Sequence, residues 1–310
     1  MRFAVLDAGC AMFRSTKVKP VTLKELKAFK YRINPEERQG AYGYYFIRPM
    51  SLYLTYAALR LGLRANQVTA LQIVFGVLGS VCLAVPKPAT MIAGILLLQF
   101  GFVLDNIDGE IARFRKEVSL TGKYLDAVGH VIVVPCMYFG LGIGTYFALG
   151  YFESIVFGFL AGFASLRLDY SILYHEAGLF IESNLDKAYD YYSRYEADDT
   201  AAENMYRRKN EDSPIRMLYA LFAYPATMNI ISVLVLADIF VSPISVLGRQ
   251  VSLVYMFLAV YGFLLPVRRI ITIRTLVRQR ETEKKYLSML SLLQGEEKKS
   301  TDTSPANPSS

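Results

Sequence analysis

From Asn66 to Val85 the chain contains no charged residue, and the run is long enough to cross about 30 Å of hydrocarbon as a helix. Further runs follow. Pro86 to Ala89 read as a turn, and Met91 to Leu104 carries the chain back until carboxylates begin at Asp105. Ala127 to Phe152 is uncharged apart from His130, and Ser154 to Tyr174 returns with Arg167 and Asp169 inside it. Met217 to Ala237 and Gln250 to Pro266 complete a set of six. A lipid core leaves the backbone no water to bond, so such runs must be helices. The expectation is an all-α integral membrane protein of six transmembrane helices, with kinks at Pro135 and Pro225.

Composition agrees, at 53% hydrophobic residues with a mean hydropathy of +0.29. The net charge of +7 does not point to nucleic acid, because the Lys and Arg residues flank the apolar runs, as the positive-inside effect requires. They collect in the N-terminal arm, after the second run, from Lys187 to Arg216 and beyond Arg268, whereas the opposite turns hold Lys87 and Arg249. Both termini and the turn at Arg113 are therefore expected on the cytoplasmic side of the cell membrane. Cys10, Cys82 and Cys136 have no paired or metal-like spacing, and the opening MRFAVLDAGCAMF lacks the apolar stretch of a cleavable secretion signal.

Before the first run, Arg48 to Arg64 places apolar residues at helical spacing beside a polar side. It reads as an amphipathic helix along the interface, the alternative being a packed helix of a soluble N-terminal domain. The expected organisation is a cytoplasmic arm over residues 1–47, a membrane domain over 48–270 containing a solvated loop at 183–214, and a cytoplasmic tail over 271–310 that ends in a disordered composition.

Chemistry-bearing residues cluster at one membrane edge. Asp105, Asp108 and Ala112 are three and four residues apart and share a helix face, as do Gly122, Asp126 and His130. A turn over Phe114 to Thr121 would bring the two faces together as a cup of carboxylates. Such a cup needs positive charge, and Mg²⁺, Mn²⁺ or Ca²⁺ suits its oxygen donors. Glycine at Gly109 and Gly122 would let a bulky ligand approach the backbone, and Arg113 would face phosphate oxygens. For Asp105 and Asp108 alone, a helix end whose acids merely face water explains the pattern equally well.

The whole string resembles the signature of the CDP-alcohol phosphotransferase (phosphatidyltransferase) family, Asp-x-x-Asp-Gly-x-x-Ala-Arg, eight residues, Gly-x-x-x-Asp-x-x-x-Asp. Here Asp105, Asp108, Gly109, Ala112, Arg113, Gly122 and Asp126 stand in register, and His130 replaces the fourth aspartate. The upstream stretch resembles the family's interfacial helix and its Pro-Asn-x-x-Thr entry, with Ala65 in place of proline and Asn66 and Thr69 kept. The resemblance covers roughly residues 45 to 270.

This resemblance implies two divalent cations, Mg²⁺ or Mn²⁺, held by Asp105, Asp108 and Asp126 with His130 as a further candidate. It also implies a CDP-linked donor against Asn66, Thr69, Gly109, Ala112, Arg113 and Gly122. The implied reaction passes a substituted phosphate from that donor, CDP-diacylglycerol or a related CDP-lipid, with a small CDP-alcohol left open, to an alcohol in phospholipid biosynthesis, and releases CMP. A homodimer surrounded by membrane lipid is implied as well. His130 and Asp126 would be catalytic, His130 as general base first and metal ligand second, the alternative being a histidine merely packed at the helix start. Arg167, with Arg268, could hold an anionic acceptor such as a sugar or polyol phosphate, or could instead anchor a lipid headgroup. Two other readings compete: an impaired relative that binds nucleotide or scaffolds a partner, and a metal or proton transporter. The second would need polar residues continuing across the membrane, whereas here they gather at one end.

Overall fold

The structure, a computed structural model, describes residues 21–33, 47–117, 119–166, 221–222, 224–241, 243–246 and 248–279. The loop expected at 183–214, most of the N-terminal arm, the tail beyond 279, Arg167 and Asp169 lie outside the described residues. The chain divides into two compact units, one of residues 1–165 and 224–263, the other of 166–223 and 264–310.

Described residues are almost wholly helical. In order they form α1 (Leu23–Ile33), α2 (Arg48–Arg60), α3 (Ala65–Leu83), α4 (Pro88–Arg115), α5 (Leu120–Leu149), α6 (Glu153–Ser165), α7 (Ala226–Phe240), a short antiparallel pair β1 (Ile244–Val246) and β2 (Arg249–Val251), and α8 (Leu253–Gln279). Among the described residues, four helices, Ala65–Leu83, Pro88–Arg115, Tyr124–Leu149 and Leu253–Thr275, are long and apolar enough to cross a membrane. The fourth and fifth expected spans correspond to the shorter apolar helices α6 and α7.

Local chemistry sets the boundaries. The α3 helix starts where the Gln67 side chain accepts the Arg64 backbone N–H at 2.9 Å. Pro88 opens α4 at its first turn, where a missing N–H costs nothing. Pro135 lies inside α5 as expected. Pro225, expected inside the fifth span, instead precedes α7 at its N-cap, a place that suits a residue unable to donate within a helix. Asp238 near the end of α7 accepts the N–H groups of Leu253 and Val254, so it satisfies donors that α8 leaves open at its start.

Within the first unit, α3 is the spine. Among described residues, α4 and α5 both pack along α3 and scarcely along one another. Glycine makes the close approach possible: a Cβ at Gly79 would stand 2.9 Å from the Gly94 carbonyl oxygen of α4. On the α5 side, a Cβ at Gly140 or Gly144 would collide with the carbonyl oxygens of Ser80 and Leu83. The sequence suggested a hairpin of two helices with opposed faces. A third helix lies against both of them.

A continuous apolar cluster joins α1 to α4 through Leu26, Leu52, Leu59, Val68, Val103, Ile107 and Ile111. The α2 helix turns a partly polar side into it. Ser51 and Thr55 are buried and donate hydrogen bonds of 2.9 and 2.6 Å to the carboxylate of buried Glu110 on α4.

Candidate functional site

The α4 helix continues past its apolar part into the carboxylate segment. At 1.5 Å per residue it is roughly 42 Å long, so about two to three turns exceed the hydrocarbon thickness. Those turns carry Asp105, Asp108, Ala112 and Arg113. The helix ends at Lys116, which adopts the left-handed conformation (φ 56°) while the Glu117 N–H returns to the Ala112 carbonyl at 2.8 Å. Ser119 caps α5 by accepting the Gly122 N–H at 3.1 Å. The turn expected over Phe114 to Thr121 is thus shortened to the residues between Arg115 and Leu120, because these two caps carry helix into both of its ends.

Opposed across this turn, Asp105, Asp126 and His130 offer one ligand atom each within 4.8 Å of one another. The His130 Nε2 lies 3.4 Å from Asp105 Oδ1 and 3.5 Å from Asp126 Oδ1. The trio is graded in exposure: the Asp105 side chain is 15% exposed, His130 33% and Asp126 50%. One wall is therefore buried and the other open. Asp105 Oδ1 itself is buried, and among the described residues no group donates a hydrogen bond to it, although His130 Nε2 approaches it at 3.4 Å.

Asp108 is not part of that trio. It faces α3, where Thr69 donates its hydroxyl to Asp108 Oδ2. Thr69 thereby acts on a carboxylate of the signature. Asn66, at the start of the same helix, lies near Gly122: a Cβ there would stand 3.5 Å from Asn66 Oδ1. The Arg113 side chain folds back over Gly109, where a Cβ would meet its guanidinium nitrogens at 3.2 and 3.3 Å. Gly109 therefore makes room for the guanidinium, and Ala112 is partly buried on the same helix. Asn66, Thr69, Asp105, Asp108, Gly109, Ala112, Arg113, Gly122, Asp126 and His130 all gather at one end of α3, α4 and α5.

The arginines proposed for an acceptor do not join this description. Arg167 lies outside the described residues, and Arg268 in the second unit donates to the Phe222 carbonyl at 3.2 Å, with its guanidinium 5.7 Å from that ring's centre. Two residues near the site were not found from the sequence. Glu110 sits within the signature at a position the pattern leaves open, and Tyr224 precedes α7 with its ring centre 5.3 Å from that of His130. Neither carries a local signal, since only the fold brings α2 to Glu110 and the start of α7 to His130.

The donor set fits a divalent cation. Two carboxylate oxygens and one imidazole nitrogen converge, and a buried carboxylate oxygen without a donor is costly unless something positive reaches it. Carboxylates suit Mg²⁺ and Mn²⁺, whereas an imidazole donor also suits later transition metals such as Zn²⁺.

Residues 63–173 match the family model for CDP-alcohol phosphatidyltransferase. No curated protein matches the chain. Among solved structures, the chain is similar to Mycobacterium tuberculosis phosphatidylinositol phosphate synthase (PgsA1) with CDP-DAG bound, at 19% identity and a TM-score of 0.44, over 73% of this chain and 94% of that one. The apo form of the same enzyme gives 21% identity and a TM-score of 0.44, over 72% and 95%.

Proposed function

We propose that the chain, whose residues 63–173 form a CDP-alcohol phosphatidyltransferase domain, transfers a substituted phosphate from a CDP-lipid to an alcohol and releases CMP. The observation that carries this reading is the convergence of Asp105, Asp126 and His130 inside that domain, around a buried carboxylate oxygen with no donor. The chain is read as a multi-pass membrane protein of six spans, with α2 at the interface and the site open to the cytoplasm.

Asp105 and Asp126 would hold one divalent cation, with His130 as either the base or a further ligand, and Asp108 oriented by Thr69 to complete the carboxylate set. When bound, the cations withdraw charge from the diphosphate oxygens and make CMP a better leaving group. Arg113, whose guanidinium folds over Gly109, would bond phosphate oxygens in a fork. The acceptor hydroxyl then attacks the phosphorus of the substituted phosphate, the bond to the CMP oxygen breaks, and the hydroxyl proton passes to a base of the chain. His130 is the first candidate and Asp126, the most exposed of the trio, the second. The nitrogen of His130 that faces the carboxylates is Nε2, so one atom is offered for both roles. A nitrogen that holds a cation cannot at that moment take a proton.

The test is release of CMP from CDP-diacylglycerol by the protein purified in detergent, with a panel of free and phosphorylated polyols and mass detection of the lipid product. Acceptor-dependent CMP release is expected, and it should stop with chelator. Retained cation binding with no CMP release from any CDP donor would replace this reading with that of a binding or scaffold protein.

A further inference from the structure

We infer that Tyr224 is a positioning residue for His130: its ring holds the imidazole in the orientation that presents Nε2 to Asp105 and Asp126. The inference rests on the proposed site and adds a residue outside the span that the family model matches.

The terminal torsion of a histidine is broad, so the backbone does not fix which ring nitrogen faces the site. Something must hold the plane. On α5, His130 lies edge to face with Tyr224, with ring centres 5.3 Å apart and planes at 68°. Tyr224 is itself held, because its ring packs against Phe102 of α4 at 5.5 Å and 83°. Phe102 lies one turn before Asp105, and its carbonyl accepts the Asn106 side-chain amide at 2.9 Å. One aromatic ring thus touches both helices that bring the trio together.

The segment carrying Tyr224 is anchored as well. Just beyond it, α7 is fastened to α4 by Gln99 Nε2, which donates to Asn229 Oδ1 at 3.0 Å and to Ser232 Oγ at 3.1 Å. Met228 and Ile231 on α7 are fully buried. The contact between Tyr224 and His130 is therefore built from two sides. Groups that orient a ligating histidine typically change metal affinity or activity by roughly 10- to 100-fold when removed.

The chain contains two histidines, so His175→Gln leaves the His130 imidazole as the sole histidine signal in an isotope-labelled sample. In that background Tyr224→Phe, Tyr224→Leu and Tyr224→Met are compared by imidazole NMR and by Mn²⁺ binding without substrate, beside turnover. Phe keeps the ring and should keep the His130 resonances and most of the affinity. Leu and Met should move those resonances and lower whichever quantity His130→Ala lowers, Mn²⁺ affinity or turnover, by roughly 10-fold or more. Combined with His130→Ala, the same Tyr224 variants should cause no further loss.

Unchanged His130 resonances in the Leu and Met variants would overturn the inference, and so would an equal loss in Tyr224→Phe or an equal effect when His130 is absent. A wild-type protein that releases no CMP would sink the proposed reaction while leaving the NMR and Mn²⁺ results to decide on Tyr224.

Discussion

At the scale of single residues, the trio makes its members unequal. Asp105 is the most buried and has an oxygen without a donor, so Asp105→Ala should remove both its ligand and the reason the cup is charged. Asp105→Ala, Asp108→Ala and Asp126→Ala are each expected to abolish CMP release while the protein still inserts and purifies. A near-normal rate in Asp126→Ala would rule out the shared cation. His130 distinguishes two roles. As a base, His130→Ala should lower turnover by roughly 10²- to 10⁴-fold with little change in Mn²⁺ affinity, and His130→Asp should restore a substantial part of the rate. If affinity falls in step with rate, the imidazole is a ligand. The placement of Nε2 between two carboxylates gives the ligand role more weight than sequence spacing alone did. The residues of the signature were legible because spacing on a helix is geometry: three and four apart means one face. What spacing could not reveal was direction. Asp105 and Asp108 share a helix, yet one joins His130 and the other bonds Thr69.

At the scale of elements, α3 was read mainly as a membrane crossing and proves to be the surface on which both signature helices pack. The reason lies in small residues, whose absent side chains a hydropathy reading counts as nothing. A Cβ at Gly140 would meet the Ser80 carbonyl, which is backbone and cannot swing aside, so Gly140→Val should separate α5 from α3 and lower the yield of folded protein in detergent. The link from α2 to α4 works by a different force. Glu110 accepts from Ser51 and Thr55 in a buried setting, and Glu110→Ala would leave both hydroxyls without that acceptor. A loss of about 1–3 kcal/mol per stranded group is the usual size. Glu110→Ala should therefore lower the thermal midpoint clearly, with Glu110→Gln in between because an amide oxygen can still accept. An unchanged midpoint in Glu110→Ala would mean that α2 is held by its apolar contacts alone. The amphipathic pattern of α2 was visible in the sequence, but hidden hydroxyls read as part of its polar side.

For the whole molecule, apolar run length located six helices, though two of them, α6 and α7, are shorter in the described residues than a full crossing. Length is a weak guide where a run holds Arg167 and Asp169, or where Pro225 starts the helix late. Orientation is a separate matter, because a helical bundle is as stable with one end inward as the other and only charge breaks the tie. The basic residues after α4 are set against Lys87 and Arg249 in the opposite turns. In the structure Arg249 forms a 2.6 Å ion pair with Glu153, which leaves the comparison as it is, because acidic residues contribute little to this bias. The expectation of a cytoplasmic turn at Arg113 therefore rests on the distribution of Lys and Arg alone. On that expected orientation, the trio would meet a soluble acceptor and released CMP at the cytoplasmic face. With Cys10, Cys82 and Cys136 replaced by serine, Lys87→Cys should react with an impermeant maleimide added outside intact cells or spheroplasts. Ser193→Cys, in the loop expected inside, should react only after the membrane is opened. Labelling of Ser193→Cys from outside, with Lys87→Cys protected, would invert the molecule and put the carboxylate cup on the wrong face for a cytoplasmic reaction.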